Sequence, residues 1–104
     1  MPTREQLETL LAVEPDDVFL NFGLAMELAK EACKDAALAQ FQKIRSLDPD
    51  YSAAYYQQGQ LLLGLGRRDD AREVLQLGVE ATQRQGDAHA ESEMRELLAG
   101  AQAD

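Results

Sequence analysis

The chain says nearly the same thing twice. "AVEPDDVFLNFGLAMEL" runs from Ala12 to Leu28, and 34 residues later "SLDPDYSAAYYQQGQLL" runs from Ser46 to Leu62. The shift aligns Pro15 with Pro49, Asp16 with Asp50, Phe22 with Tyr56, Ala25 with Gly59 and Leu28 with Leu62. It continues through Ala32 with Gly66, Asp35 with Asp69, Ala37 with Ala71 and Phe41 with Leu75. Small residues meet small ones and large apolar residues meet large ones. A repeat of this length is one supersecondary unit that cannot bury its apolar face alone and needs a copy beside it.

Each unit reads as two helices. In the first, Leu20, Leu24 and Leu28 recur at four-residue steps, followed by Ala37, Leu38, Phe41, Ile44 and Leu47. In the second, Tyr55, Leu62 and Leu63 precede the turn "GLGRRDD", and Val74, Leu75 and Val79 follow it. Asp35 and Asp69 are placed to cap the second helices, because a carboxylate accepts from unpaired N–H groups. Ala25 facing Ala37, and Gly59 facing Ala71, would let each helix pair approach closely. Thr3 and Gln6 fit a capping box ahead of Leu7, Leu10 and Leu11. Shifted by 34, residues 3–13 correspond to the second helix of a unit, so the chain opens on half a repeat. Gly86 and Asp87 precede a last helix with Met94, Leu97, Leu98 and Ala101 on one face, and Glu91 and Arg95 form an i,i+4 pair on another. Six helices are expected, near 3–13, 17–31, 35–47, 51–65, 69–84 and 87–101.

These features resemble the tetratricopeptide repeat family. The resemblance is carried by the 34-residue period, the Ala25/Ala37 and Gly59/Ala71 pairs, Tyr55, Phe41, "LDP" at 47–49 and "GRRDDAREVL" at 66–75. It implies an all-α, right-handed α-α superhelix of about six antiparallel helices. Residues 1–104 would form one domain: a half-repeat helix, repeats at 17–50 and 51–84, and a capping helix at 87–101. The sequence departs from the family pattern at Asn21, Gln58 and Gly78. Gln83 stands where a third proline would end the second unit.

Nothing in the sequence assembles a catalytic centre or a cofactor site. His89 is the sole histidine and Cys33 the sole cysteine, which leaves no triad, metal cluster or internal disulfide to build. "GLGRR" follows a helix and is no phosphate loop. The net charge of −9 argues against nucleic acid and anionic lipid as partners. No stretch reaches the roughly 20 apolar residues of a membrane span, and the N-terminus lacks a secretory signal, so a cytoplasmic location is expected. The acid is concentrated at the ends. Residues 1–17 set Arg4 against Glu5, Glu8, Glu14, Asp16 and Asp17, and residues 87–104 set Arg95 against Asp87, Glu91, Glu93, Glu96 and Asp104, a net of −4 in each case. The ordinary reading is that acidic ends keep repeats from stacking end to end; the sharper one is that they steer a basic partner.

Binding remains. The resemblance implies a concave groove lined by the first helix of each repeat. Carried over residue by residue, the groove would expose Phe19, Phe22, Met26, Ala29 and Lys30 from the first repeat, and Ala53, Tyr56, Gln57, Gln60 and Leu63 from the second. Phe19, Phe22 and Met26 share one face, distinct from the leucine stripe, and Phe22 is expected to lie outside the core. Some family members grip a partner's terminal carboxylate with basic residues. Here Phe22, Met26, Gln57, Asp87 and Glu91 hold the matching positions, so that clamp is absent. The expected function is a non-catalytic module that takes a partner peptide or helix, apolar and in the sharper reading basic, into this groove. The alternative is a structural homodimer paired through the Phe19/Phe22/Met26 edge.

Overall fold

The computed structural model describes residues 2–102, and all regular structure among them is helical. Six α-helices follow one another: α1 Arg4–Val13, α2 Val18–Lys30, α3 Lys34–Leu47, α4 Ser52–Gly64, α5 Arg68–Gln85 and α6 Ala88–Gln102. They fall into two compact units, one ending at Asp48 and one beginning at Pro49.

In the first unit, α2 packs against both α1 and α3. The capping box forms: the Gln6 amide donates to Thr3 Oγ1 (3.2 Å) and the Thr3 amide donates to Gln6 Oε1 (2.8 Å). Asp17 caps α2 by accepting from the Leu20 amide at 2.8 Å. Leu7 is buried, and a Cβ added to Gly23 would stand 3.2 Å from its Cδ2, which sets how closely α1 and α2 approach. Ala25, Ala37, Phe41 and Ile44 are fully enclosed. The leucine stripe is only partly the packed face: Leu28 is buried, whereas Leu20 and Leu24 are half-buried, and Asn21, Ala25 and Leu28 form the enclosed set. Four-residue steps overrun a 3.6-residue turn, so a stripe so spaced drifts around the helix.

Asn21 has no solvent exposure, and its polar atoms are matched. Nδ2 donates to the carbonyls of Pro15 (2.9 Å) and Asp17 (2.8 Å), and Gln40 Nε2 donates to Oδ1. Its repeat equivalent Tyr55 does the same with a longer reach, donating its hydroxyl to the Pro49 carbonyl at 2.6 Å. Amide and phenol thus perform one task, tying the first helix of a repeat to the proline corner before it.

The second unit packs α4 against α5, and α6 against both. Gly59 does not face Ala71 alone, as a small-on-small pair would require. A Cβ at Gly59 would meet Leu75 Cδ2 at 2.4 Å, so the glycine is a hole filled by a large side chain. Gly78 is a second hole, with Tyr55 Cβ at 2.8 Å and Met94 Sδ at 2.9 Å from the position of its missing carbon.

The turns repeat as well. The Cys33 amide donates to the Leu28 carbonyl (3.0 Å), the Arg67 amide to Leu62 (2.9 Å) and the Asp87 amide to Thr82 (3.0 Å). Each closes a helix end of the kind that needs one left-handed residue. Gly66 (φ 77°) and Gly86 (φ 67°) supply it in the second unit, and Ala32 (φ 64°) supplies it in the first. Asp35 and Asp69 do not cap α3 and α5. The N-cap residues are Cys33 and Arg67, whose side chains do not cap the helix, and the two aspartates lie inside the first turn, where their charge still favours the helix start. Asp69 pairs there with Arg72.

Candidate partner-binding surface

Helix α2 carries four of the seven candidate residues. Phe19 lies just inside its N-terminus and is 76 % exposed. Met26 is half-buried, and Lys30 is exposed with Nζ 3.5 Å from Glu27 Oε1. Phe22 departs from expectation. It is half-buried, and its ring stands edge-on to Phe41, with centroids 6.0 Å apart and planes at 61°. An aromatic pair of this geometry contributes about 0.5–1.5 kcal/mol beyond area burial. Phe22 therefore belongs in part to the α2–α3 core, because a ring long enough to reach outward from α2 also reaches sideways to the large residue on α3.

Helix α4 carries the other three. Tyr56 and Gln57 are half-buried and Gln60 is exposed. Tyr56 lines an open hollow of about 270 Å³ with Glu93, Glu96 and Leu97 of α6. Its hydroxyl has no hydrogen-bond partner among the described residues, in contrast to the adjacent Tyr55. Glu93 Oε1 is 2.7 Å from His89 Nε2; the imidazole is largely in solvent and the carboxylate side chain about half so. Glu96 has no ionic partner among the described residues.

Glu93, Glu96 and Leu97 are not among the candidates read from sequence, and the reason lies in α5. It has 18 residues where α3 has 14. With no proline at 83, it runs on until Gly86. Helix α4 begins 34 residues after α2, but α6 begins 36 after α4. In that register Gln57 corresponds to Glu93, Gln60 to Glu96, Gln58 to the buried Met94 and Leu62 to the buried Leu98. The missing proline was the available signal. The carry-over onto Asp87 and Glu91 moves by the same two places, to His89 and Glu93. Asp87 instead caps α6 by accepting from the Ala90 amide at 3.1 Å, and Glu91 pairs with Arg95 at 2.8 Å.

A second hollow, of about 580 Å³, lies in the first unit between α1 and α2. Thr3, Arg4, Glu5, Glu8, Glu27 and Glu31 line it. Arg4 spans it, 2.8 Å from Glu8 and 3.3 Å from Glu31. Hydrogen bonding to Glu8, then to Glu31, raises the pKa of a guanidinium that is already charged at every ordinary pH. Among the described residues no group of three His, Cys, Asp or Glu side chains is arranged to hold a metal ion. Cys33 is half-buried in the α2–α3 turn.

Two helical hairpins with matching proline corners, buried small residues and helix-end turns define a helical-repeat protein. The model of the tetratricopeptide repeat family matches residues 35–99. A TPR repeat-containing protein of Pseudomonas aeruginosa is 31 % identical over 94 residues, 90 % of each chain. The solution structure of a tetratricopeptide repeat domain protein from Salinibacter ruber is 34 % identical, with a TM-score of 0.79 over 84 % of this chain and 88 % of that one. The solution structure of a protein from Bordetella parapertussis is 33 % identical, with a TM-score of 0.82 over 97 % of this chain and 88 % of the other. The chain belongs to the tetratricopeptide repeat family, whose fold is all-α and whose members serve generally as protein–protein interaction modules. No helix among the described residues is long and apolar enough to cross a membrane.

Proposed function

We propose that the chain is a non-catalytic cytoplasmic adaptor that binds a peptide or helix of another protein on the outward faces of its first-type helices, with residues 1–104 acting as one binding domain. Phe19, Met26 and Lys30 on α2, and Tyr56, Gln57 and Gln60 on α4, are the residues assigned to contact; Phe22 contributes through the part of its ring not engaged by Phe41. The observation that carries this reading is Tyr56. It is a half-buried aromatic side chain lining an open hollow, and aromatic anchors packed into a partner's pocket dominate binding energy at interfaces. Helix-in-groove recognition suits such a surface, and Met26 adds an adaptable thioether.

The test is to titrate a partner recovered from native lysate against Tyr56→Ala, Met26→Ala and Leu28→Ala, beside circular-dichroism melting. The first two should weaken binding at least tenfold at nearly unchanged melting temperature. Leu28→Ala should lower stability by about 2–5 kcal/mol. Unaltered affinity in Tyr56→Ala and Met26→Ala would remove the reading. A second reading, homodimerisation through the Phe19 edge, is favoured by the 76 % exposure of that ring. It requires a dimer in light scattering that Phe19→Ala converts to monomer.

A further inference from the structure

The hollow beside Tyr56 has walls of two kinds. The Tyr56 ring and Leu97 are half-buried and apolar, while Glu93 and Glu96, three residues apart on α6, bring two carboxylates to the same opening. Neither lysine nor arginine is among the lining residues. Glu93 meets only an imidazole, a counter-ion when protonated and otherwise a neutral donor. A negative opening beside an aromatic wall rejects the carboxylate end of a peptide.

We propose that this hollow seats the guanidinium of an arginine carried on an apolar partner segment. The proposal rests on the interaction-surface reading above and adds the side chain that the surface selects. Charge complementarity names the occupant. A planar cation is attracted to the face of a tyrosine ring, and its fork of N–H donors matches carboxylate oxygens. Leu97 covers the aliphatic stem that a guanidinium brings with it. Helix α6 thereby becomes a working part of the surface, and the acidity at the chain's C-terminal end gains a recognition role.

The experiment titrates the 15N-labelled full chain with two short helical peptides of identical leucine and alanine content. One carries a central arginine and the other citrulline, its uncharged isostere. The arginine peptide should move the amide resonances of Tyr56, Glu93, Glu96 and Leu97 to saturation and bind at least fivefold more tightly than the citrulline peptide. That preference should vanish in Glu93→Gln/Glu96→Gln, whose side chains are exposed and whose fold is checked by its amide spectrum, and should shrink as salt is raised. Equal binding of both peptides at α4 and α6 would overturn the arginine proposal and leave the interaction surface standing. A lysine peptide binding as tightly as the arginine one would overturn the selection of a guanidinium. Shifts confined to α1, α3 and α5, or absent throughout, would overturn both the proposal and the reading beneath it.

Discussion

Ala32 makes with a side chain the same left-handed turn that its copy makes with glycine. It holds φ at 64° where the second repeat has Gly66 at 77°. An L-residue with a Cβ reaches this region at a penalty of roughly 1–2 kcal/mol, because the Cβ crowds the following carbonyl. Glycine escapes the clash but loses more chain entropy on folding, roughly 0.4–1 kcal/mol. Ala32→Gly should therefore stabilise the protein by about 0.5–1 kcal/mol in urea unfolding. Gly66→Ala, where the added carbon meets nothing within 4 Å beyond its own chain neighbours, should destabilise it by a similar amount. The opposite signs would show that the two turns are one device built with different residues; equal signs would show that they are not.

At the scale of helices, the second unit is held together by glycine holes as much as by apolar stripes. Gly78 separates this effect from helix propensity. Alanine there gains about 1 kcal/mol of propensity but drives a carbon to 2.8 Å from Tyr55 Cβ, an atom beside the backbone with little freedom to retreat. Overpacking of this kind costs about 1–3 kcal/mol. Gly78→Ala should lower the melting temperature, whereas Gly100→Ala, with nothing within 4 Å, should raise it. The helices themselves were legible from sequence to within about one residue at most ends, because prolines, the capping box and apolar spacing all act locally. The partners inside each hairpin were less so. Periodicity places Gly59 on the packed face but does not say that Leu75 rather than Ala71 fills it, and it does not say that Phe22 leans on Phe41. The two-residue displacement of α6, which follows from the longer α5, hid Glu93, Glu96 and Leu97 from the sequence reading. A strict 34-residue shift places Asp87 and Glu91 at positions that the 36-residue spacing of α4 and α6 gives to His89 and Glu93.

For the molecule as a whole, the acid gathered near both ends of the chain leaves residues 18–86 almost balanced, at a net of −1. Such a distribution acts chiefly on encounter rates and on which partners are refused. The central claim is that partners bind on the first-type helices. It is tested most directly by photo-crosslinking from matched positions. A benzophenone amino acid replaces Gln60, exposed on α4, or Gln76, exposed on α5, and each variant is irradiated in native lysate. The account predicts a discrete adduct to a different protein from position 60, competed away by unlabelled chain, and none from position 76. An adduct from position 76 alone, or the same adduct from both, would contradict it.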